Sequence, residues 1–302
     1  MSRNSRINSP APKAPRNAAA ESARNSPRSK GKGASKPTSR RAQSELIYGF
    51  HPVLAALGNP ARRKQRLMLT KEAKKSLTNE AAADSALAGD AALAKQADGA
   101  TGGIAEALAT SHVVARSEID AALPKGAVHQ GFLLQCAPLS AIDLEECCAP
   151  DGGNMPVVLL DQVSDPHNVG AILRSAAAFG ARAVIIPERH SPNATGVLAK
   201  SASGALESVP LIRVTNLVRA MGQLKDMGYW LTGLDSGADM TLGNNTLKQP
   251  VALVLGAEGS GLRRLTRENC DSLAAIKLAG SMHSLNVSNA AAVALYQLML
   301  NK

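Results

Sequence analysis

Aromatic residues are scarce in this sequence, which has one Trp, three Tyr and three Phe among 302 residues. RNA-binding modules that stack bases on aromatic side chains need several such rings close together. Seven rings spread along the whole chain disfavour that class of RNA-binding module.

Other signatures are absent as well. The four cysteines have neither CxxC pairing nor a His at zinc spacing, so ordinary reduced thiols and no metal site are expected. The sequence contains no run of eighteen apolar residues, so no membrane span is predicted. The N-terminus lacks the apolar core of a secretion signal. Neither GxGxxG nor a P-loop occurs, which disfavours a Rossmann-type methyltransferase or dehydrogenase.

Positive charge is concentrated in the N-terminal tail. Residues 1–44 hold eleven Lys or Arg residues and one acid, so their net charge of +10 equals that of the whole chain. Because the tail has almost no large apolar side chain, we expect it to be disordered. It can serve as an RNA tether, a solubilising tail or a mitochondrial transit peptide. The last is the minor alternative to a cytoplasmic location, because scattered prolines disfavour an amphipathic helix.

Two α/β regions follow the tail. In residues 45–136, short apolar runs predict strands around a helix that begins near Pro52, and an Ala-rich insertion at 81–100 predicts either a helix or a loop. Residues 137–155 carry a Pro/Gly/Asp cluster and predict an interdomain linker. In residues 156–302, apolar strands alternate with helices, which is typical of a parallel sheet. The last two predicted strands are Val251–Leu255 and Leu273–Leu278.

Three loops of the last region carry unusual polar or glycine-rich sequence, and each follows a predicted strand. They are residues 161–170, 255–261 and 278–289. Ligands of parallel sheets collect at the carboxyl ends of the strands, so these loops are candidates for a binding site. The alternative is ordinary structure: Asn168 as a helix N-cap, a glycine turn, and an Asx turn at a helix start.

Arg174 lies off the apolar stripe of the helix that follows the first loop. The stripe comprises Val169, Ile172, Leu173, Ala176 and Gly180. Arg174 points about 140° away from Val169 on a helical wheel. Small residues flank it, which favours close approach by another molecule, although a plain surface arginine is the alternative.

The three loops together resemble the motifs of the SpoU/TrmH family of RNA ribose methyltransferases (SPOUT type). The matching stretches are Leu160–Arg174, Leu253–Leu262 and Ile276–Asn289, and the resemblance covers residues 156–302 nearly end to end. Residues 45–136 are similar to the small ribosomal-protein-like α/β RNA-binding domain that precedes the catalytic domain in bacterial members acting on large-subunit rRNA, and residues 48–53 are the stretch that carries this resemblance. The Ala-rich insertion departs from that pattern.

This resemblance implies a fold and a site. It implies a parallel-sheet catalytic domain with a C-terminal trefoil knot that binds S-adenosylmethionine (AdoMet), and a homodimer with each site near the subunit interface. The residues implied for AdoMet binding are Gly256, Ile276 and Leu285, and those implied for the reactive site are Asn168, Arg174, Glu258, Ser284 and Asn286.

The implied reaction transfers a methyl group from AdoMet to a ribose 2′-OH of RNA, most consistent with a guanosine of 23S rRNA, without a metal. The alternatives are a tRNA ribose methyltransferase and a non-catalytic RNA-binding or ribosome-assembly protein of the same fold. The family account makes Arg174 the base. An ordinary guanidinium has a pKa above about 12, so we assign Arg174 positioning and electrostatic roles and leave the base open.

Two surfaces are predicted to bind macromolecules. Residues 61–75 hold seven basic residues and one acid, which predicts an RNA interface, with a solvated face as the alternative. The basic residues are Arg62, Arg63, Lys64, Arg66, Lys71, Lys74 and Lys75. The last helix, Ala290–Leu300, is apolar on nearly every face and is therefore expected to be buried on all sides. A twofold partner would cover its second side; the N-terminal domain is the alternative cover.

Deletion of residues 1–44 removes the whole net charge of +10. We predict weaker RNA binding with a shallower salt dependence, because fewer phosphate counterions are released. Titrations of RNA at several salt concentrations measure both quantities. Turnover at saturating RNA should change little, and a collapse of that turnover would place the tail in the reactive site.

Overall fold

The computed structural model describes residues 44–87, 104–149, 151, 153–192, 196–243, 248–281 and 284–300. The tail predicted over residues 1–44 lies outside the described residues except for Ser44. The Ala-rich insertion is helical up to residue 87, and its remainder also lies outside them. No helix in these ranges is both long and apolar enough to cross a membrane.

A four-stranded sheet forms the N-terminal part of the described chain. In chain order, its elements are β1 (Glu45–Tyr48), α1 (Phe50–Gly58), β2 (Lys64–Leu69), α2 (Lys71–Leu87), α3 (residues 104–109), β3 (His112–Val113), α4 (Arg116–Ala122) and β4 (Phe132–Cys136). The strands lie in the order β1-β4-β2-β3. Strand β4 runs antiparallel to β1 and β2, whereas β2 and β3 are parallel.

A six-stranded sheet forms the rest of the molecule. Its elements are α5 (Leu144–Cys148), β5 (Val157–Asp161), α6 (Pro166–Ala178), β6 (Ala183–Pro187), α7 (Gly196–Ala202), a 3₁₀ turn (Ala205–Glu207), β7 (Leu211–Val214), α8 (Leu217–Asp226), β8 (Trp230–Leu234), β9 (Val251–Gly256), α9 (Arg264–Glu268), β10 (Ser272–Ala274) and α10 (Val287–Leu300). The strand order is β10-β8-β9-β5-β6-β7, and every pair is parallel. The predicted parallel α/β sheet is confirmed.

Helices cover both faces of this sheet. Along β5, Val158 and Leu160 pack with α6, α7 and α10, whereas Val157 and Leu159 pack with α5 and α8. Because both faces are buried, the strand reads as a continuous apolar run instead of an alternating one. Its last residue, Asp161, is the exception and lies at the carboxyl edge of the sheet.

Two predicted segments differ from the structure. The predicted linker contains α5, because Leu144 and Cys148 lie one turn apart and both enter the core of the second sheet. The last predicted strand is shorter than expected. Strand β10 ends at Ala274, and after an isolated bridge between Ala275 and Thr241 the chain leaves the sheet.

Helix α10 is buried on one side only by the described residues of the single chain, so the expected cover of its second side by a twofold partner stays a prediction. Its buried face packs mainly on α6 and β9, not on the N-terminal sheet, and Tyr296 makes a ring contact with Phe179. The exposed apolar residues of the helix are Val293, Tyr296, Met299 and Leu300. This face is uncovered in the single chain.

The predicted RNA interface is wrong at Arg62, because this residue is buried, with only 4% of its surface exposed. Its guanidinium donates to Glu207 Oε1 at 2.6 Å, to Glu45 Oε2 at 3.0 Å and to the Ala137 carbonyl at 3.0 Å. Asn59 Nδ2 donates to the same Glu207 carboxylate at 2.7 Å. Arg62 therefore joins the N-terminal sheet to the 3₁₀ turn of the second sheet, and it does not belong to an exposed basic face.

Replacement of Arg62 by Ala should lower the free energy of unfolding by about 3–5 kcal/mol, because it leaves the nearly buried Glu207 carboxylate without its cation. Arg63→Ala is the matched control, since Arg63 is exposed and adjacent. That variant should change stability by less than about 0.5 kcal/mol. Urea denaturation of both variants measures the difference, and equal stabilities would contradict a role for Arg62 in joining the sheets.

Candidate active site

The loop after β5 positions the first predicted site residue. Asp165 accepts a hydrogen bond from the His167 amide at 2.9 Å and caps α6, and Pro166 occupies the first helical position. The alternative interpretation of Asn168 as an N-cap is therefore wrong. Asn168 is nearly buried in the first turn of α6, and its side chain is directed to other loops.

Three of the predicted residues meet at the carboxyl edge of the second sheet. Asn168 Nδ2 donates to Glu258 Oε1 at 3.0 Å. Asn286 Nδ2 donates to Asn168 Oδ1 at 3.1 Å and also contacts Glu258 Oε1. Each of the three loops supplies one member, although the members lie up to 118 residues apart in the chain. The result is a connected polar cluster that presents amide and carboxylate groups to solvent.

Asn286 has a structural role in addition to its place in this cluster. Its Oδ1 accepts hydrogen bonds from the Ser288 amide at 2.9 Å and the Ser288 hydroxyl at 2.5 Å, at the start of α10. The Asx-turn interpretation is therefore confirmed, and the role of Asn286 in the reactive site stays a prediction. The same side chain orients the first turn of α10 and hydrogen-bonds Asn168 through its amide nitrogen.

The glycine-rich loop after β9 folds tightly on itself. Ala257 and Gly261 exchange two backbone hydrogen bonds, at 3.1 and 2.9 Å. A Cβ atom at Gly256 would overlap the backbone of Gly261 and Leu262, so only glycine fits there. The requirement for Gly256 thus has a cause within the chain itself, and its contact with AdoMet stays a prediction.

The remaining predicted residues make no hydrogen bond to the cluster among the described side chains. Arg174 is exposed and lies six residues after Asn168, about 9 Å further along the axis of α6. Ser284 is exposed, Ile276 is partly buried, and Leu285 leaves 38% of its surface exposed. The predicted outward direction of Arg174 is confirmed by its exposure.

The predicted site residues do not include Asp161, although it lies in the first matching stretch and pairs with Gly256 in the sheet. It is fully buried at the end of β5, and it binds the backbone amide and the guanidinium of Arg263. The one available signal in the sequence is an acid that directly follows four apolar residues of a strand. Its partner, 102 residues later, cannot be deduced from that pattern.

Cysteine chemistry is disfavoured by the state of the thiols. Burial raises the pKa of Cys136 to about 11 and those of Cys148 and Cys270 to about 12, and burial also raises the pKa of Cys147. All four thiols are therefore protonated near neutral pH and are poor nucleophiles. Within the described part of the chain, no group of three or more His, Cys, Asp or Glu residues is placed to hold a metal ion.

Comparison with known proteins identifies the family. Residues 155–296 match the model of the SpoU rRNA Methylase family. The chain is 40% identical over 260 residues to the 23S rRNA (guanosine-2'-O-)-methyltransferase RlmB of Escherichia coli strain K12, covering 84% of this chain and 97% of that protein. It is 48% identical over 170 residues to the RlmB of Ralstonia nicotianae, covering 56% and 68%. The chain belongs to the SpoU rRNA methylase family.

Solved structures share the fold. The SpoU methyltransferase AviRb of Streptomyces viridochromogenes, crystallised with AdoMet, is similar with a TM-score of 0.66 and 24% identity, covering 86% of this chain and 91% of that one. An AdoMet-bound rRNA methyltransferase of Sinorhizobium meliloti gives a TM-score of 0.63 at 20% identity, covering 84% and 86%. At these identities the likeness shows the architecture alone.

Substitution of Gly256 by Ala should destabilise the chain by about 1–3 kcal/mol, because the new methyl group must displace the backbone of Gly261. The matched control is Gly222→Ala, since a Cβ atom at that position of α8 meets open space. The control should stabilise the chain by about 0.5–1 kcal/mol, because alanine favours helix. Thermal unfolding compares the two variants, and a Gly256→Ala protein as stable as the wild type would contradict the steric account.

Proposed function

We propose that the chain transfers a methyl group from AdoMet to the 2′-OH of a guanosine in 23S rRNA, in the bacterial cytoplasm where that RNA is assembled into ribosomes. The observation that carries the proposal is the cluster of Asn168, Glu258 and Asn286, built from three separate loops at one sheet edge. It occurs in a chain that aligns with nearly the whole length of relatives named for this reaction.

AdoMet would lie against the glycine-rich loop and the segment between β10 and α10. Gly256 leaves the backbone free of a side chain at the sheet edge, and the exposed Leu285 and partly buried Ile276 provide apolar surface that suits an adenine ring. When bound, AdoMet supplies a methyl group activated by a sulfonium. The protein residues hold the acceptor in line with that group.

The polar cluster and Arg174 would act on the RNA. Glu258 accepts two amide hydrogen bonds, which keep its carboxylate facing the carboxyl edge of β5 and β9. Arg174 is exposed and unpaired among the described residues, so its planar guanidinium is free to bind a substrate phosphate with two hydrogen bonds. Ser284, also exposed, adds a hydroxyl that can donate to the ribose or phosphate. Because the acceptor is a 2′-OH, RNA is required and DNA is excluded.

We also propose that the C-terminal segment forms a trefoil knot and that the N-terminal sheet binds RNA. The chain runs from β10, at one edge of the sheet, back to Asn286 beside the ends of β5 and β9. This return is consistent with the trefoil knot that the family resemblance implies. The N-terminal sheet would serve as the RNA-binding domain through exposed basic residues, which are Arg63, Lys64, Arg66, Lys71 and Lys75, with Lys74 partly exposed.

A homodimer would cover the exposed apolar face of α10. Tyr296 on this face contacts Phe179, which follows directly after α6, the helix that carries Arg174. A partner seated there would therefore lie near the reactive site. Isologous pairing is the commonest form of oligomer, and it buries an apolar face of this kind in both subunits at once.

The reaction is tested with purified chain, methyl-labelled AdoMet and rRNA from cells that lack the gene. We expect label in 23S rRNA, recovered as 2′-O-methylguanosine after digestion to nucleosides. Label in tRNA instead would establish the tRNA alternative. RNA binding that needs no AdoMet and is followed by no transfer would establish the non-catalytic alternative. Either of these two results would overturn the proposal.

Arg174→Ala should abolish most methylation while the melting temperature and AdoMet affinity stay near those of the wild type. The side chain is exposed, so its loss should change stability by less than about 1 kcal/mol. Arg174→Lys should not restore activity, because an ammonium lacks the planar fork. Arg219→Ala, an exposed arginine on the opposite face of the sheet, is the control and should remain active. An active Arg174→Ala enzyme would remove Arg174 from the mechanism.

Light scattering of the full chain at micromolar concentration should give twice the chain mass of 31.2 kDa. Replacing both Val293 and Tyr296 by Asp should yield monomers, because four carboxylates would then meet across the twofold interface. Val128→Asp, which changes an exposed apolar residue of the N-terminal region, should remain dimeric. A wild-type chain that scatters as a monomer would contradict the proposed dimer.

A further inference from the structure

The buried carboxylate of Asp161 joins two loops of the candidate site. Its Oδ2 accepts the Arg263 backbone amide at 3.0 Å, and its Oδ1 accepts the Arg263 Nε at 2.6 Å. The Asp161 side chain is 0% exposed, whereas that of Arg263 is 48% exposed. One residue of β5 therefore holds both the main chain and the side chain at the far end of the glycine-rich loop.

This contact closes the loop at its second end. At the first end, Gly256 pairs with Asp161 in the register of β9 and β5. At the second end, Arg263 binds the carboxylate of that same Asp161. Glu258 lies between these two anchors and reaches Asn168 from there. The position of the Glu258 carboxylate thus depends on a loop whose two ends are both held by one residue.

The chemistry of the contact requires a carboxylate. Two N–H donors of Arg263 point at two different oxygens, and an ionised carboxylate accepts both. An Asn at the same position offers one acceptor and one NH₂ donor, so one N–H of Arg263 would face another donor. Arg263 can turn to solvent because half of its side chain is exposed, and the loop would then lose its second anchor.

We propose that Asp161 is a positioning residue of the methyl-transfer site, which acts through Arg263 to hold Glu258 opposite Asn168 and Asn286. The inference rests on the proposed function for its kinetic part. Its structural part, that Asp161 orders residues 257–263, does not depend on methyl transfer.

The kinetic test is a double-mutant cycle between Asp161→Asn and Glu258→Gln. Asp161→Asn should lower kcat roughly 10- to 100-fold, as for a misplaced group near the reacting atoms, with RNA affinity unchanged. In the Glu258→Gln background it should lower kcat no further, because the residue that it positions is already altered. Arg264→Gln is the matched control. It removes an exposed ion pair with Glu268 one residue further along the chain, and it should leave kcat unchanged.

The structural test is amide hydrogen exchange on the protein without AdoMet or RNA. Asp161→Asn should speed exchange in residues 257–263, including the Arg263 amide, and leave the strands of the sheet unchanged. Should Asp161→Asn fail to fold, Arg263→Gln removes the side-chain part of the same contact from the half-exposed side, and the same two readouts apply.

Effects on kcat that simply multiply in the double variant would overturn the proposal, because Asp161 would then not act through Glu258. Unchanged exchange in residues 257–263, or exchange raised equally throughout the sheet, would overturn it as well. A wild-type chain that methylates no RNA would instead refute the proposed function, and the exchange result would still decide whether Asp161 orders the loop.

Discussion

The parallel pairing of β5 with β9 is the contact on which the candidate site depends. Its register places Asp161 beside Gly256, so the loops that follow both strands leave the sheet at the same point. The pairing is held by burial of both strands between two layers of helices, and only Gly256 at the end of β9 is partly exposed. A parallel sheet brings its carboxyl ends to one edge, and polar side chains with no partner in the core therefore collect there.

From this edge the remaining geometry follows by local rules. Asp165 caps α6 and so orients Asn168, and Asn286 caps α10 while it hydrogen-bonds Asn168. Asn286 is thus fixed in place by its hydrogen bonds at the start of α10, and Asn168 by its place in the first turn of α6. The site thus uses residues whose rotamers are held by the fold, which is the arrangement expected where reacting groups must be placed closely.

The sequence predicts the second sheet well because its signals are strong. Each of its strands is a short apolar run between turn residues, and α6 has a regular apolar stripe, so the strand and helix bounds agree within a few residues. Helix α2 is harder to predict, since only Ala73 and Leu77 are buried along its first ten residues. The meeting of Asn168, Glu258 and Asn286 follows from the motif resemblance, not from periodicity.

Long-range polar partners mark the limit of sequence inference. Arg62 belongs to a run of basic residues that is typical of an RNA-binding surface, yet its partner Glu207 lies 145 residues away and buries it. Asp161 and Arg263 form a similar case within the site. In both pairs the charge is visible in the sequence, whereas the desolvated contact exists only once two distant segments are folded together.

The most direct test of the account maps ribose methylation in the cell. The 23S rRNA is isolated from cells with and without the gene, and 2′-O-methylated positions are located by primer extension at limiting nucleotide concentration. We expect one guanosine to lose its methyl group in the absence of the gene and to regain it when the wild-type chain is restored. An unchanged methylation pattern in 23S rRNA would contradict the central claim.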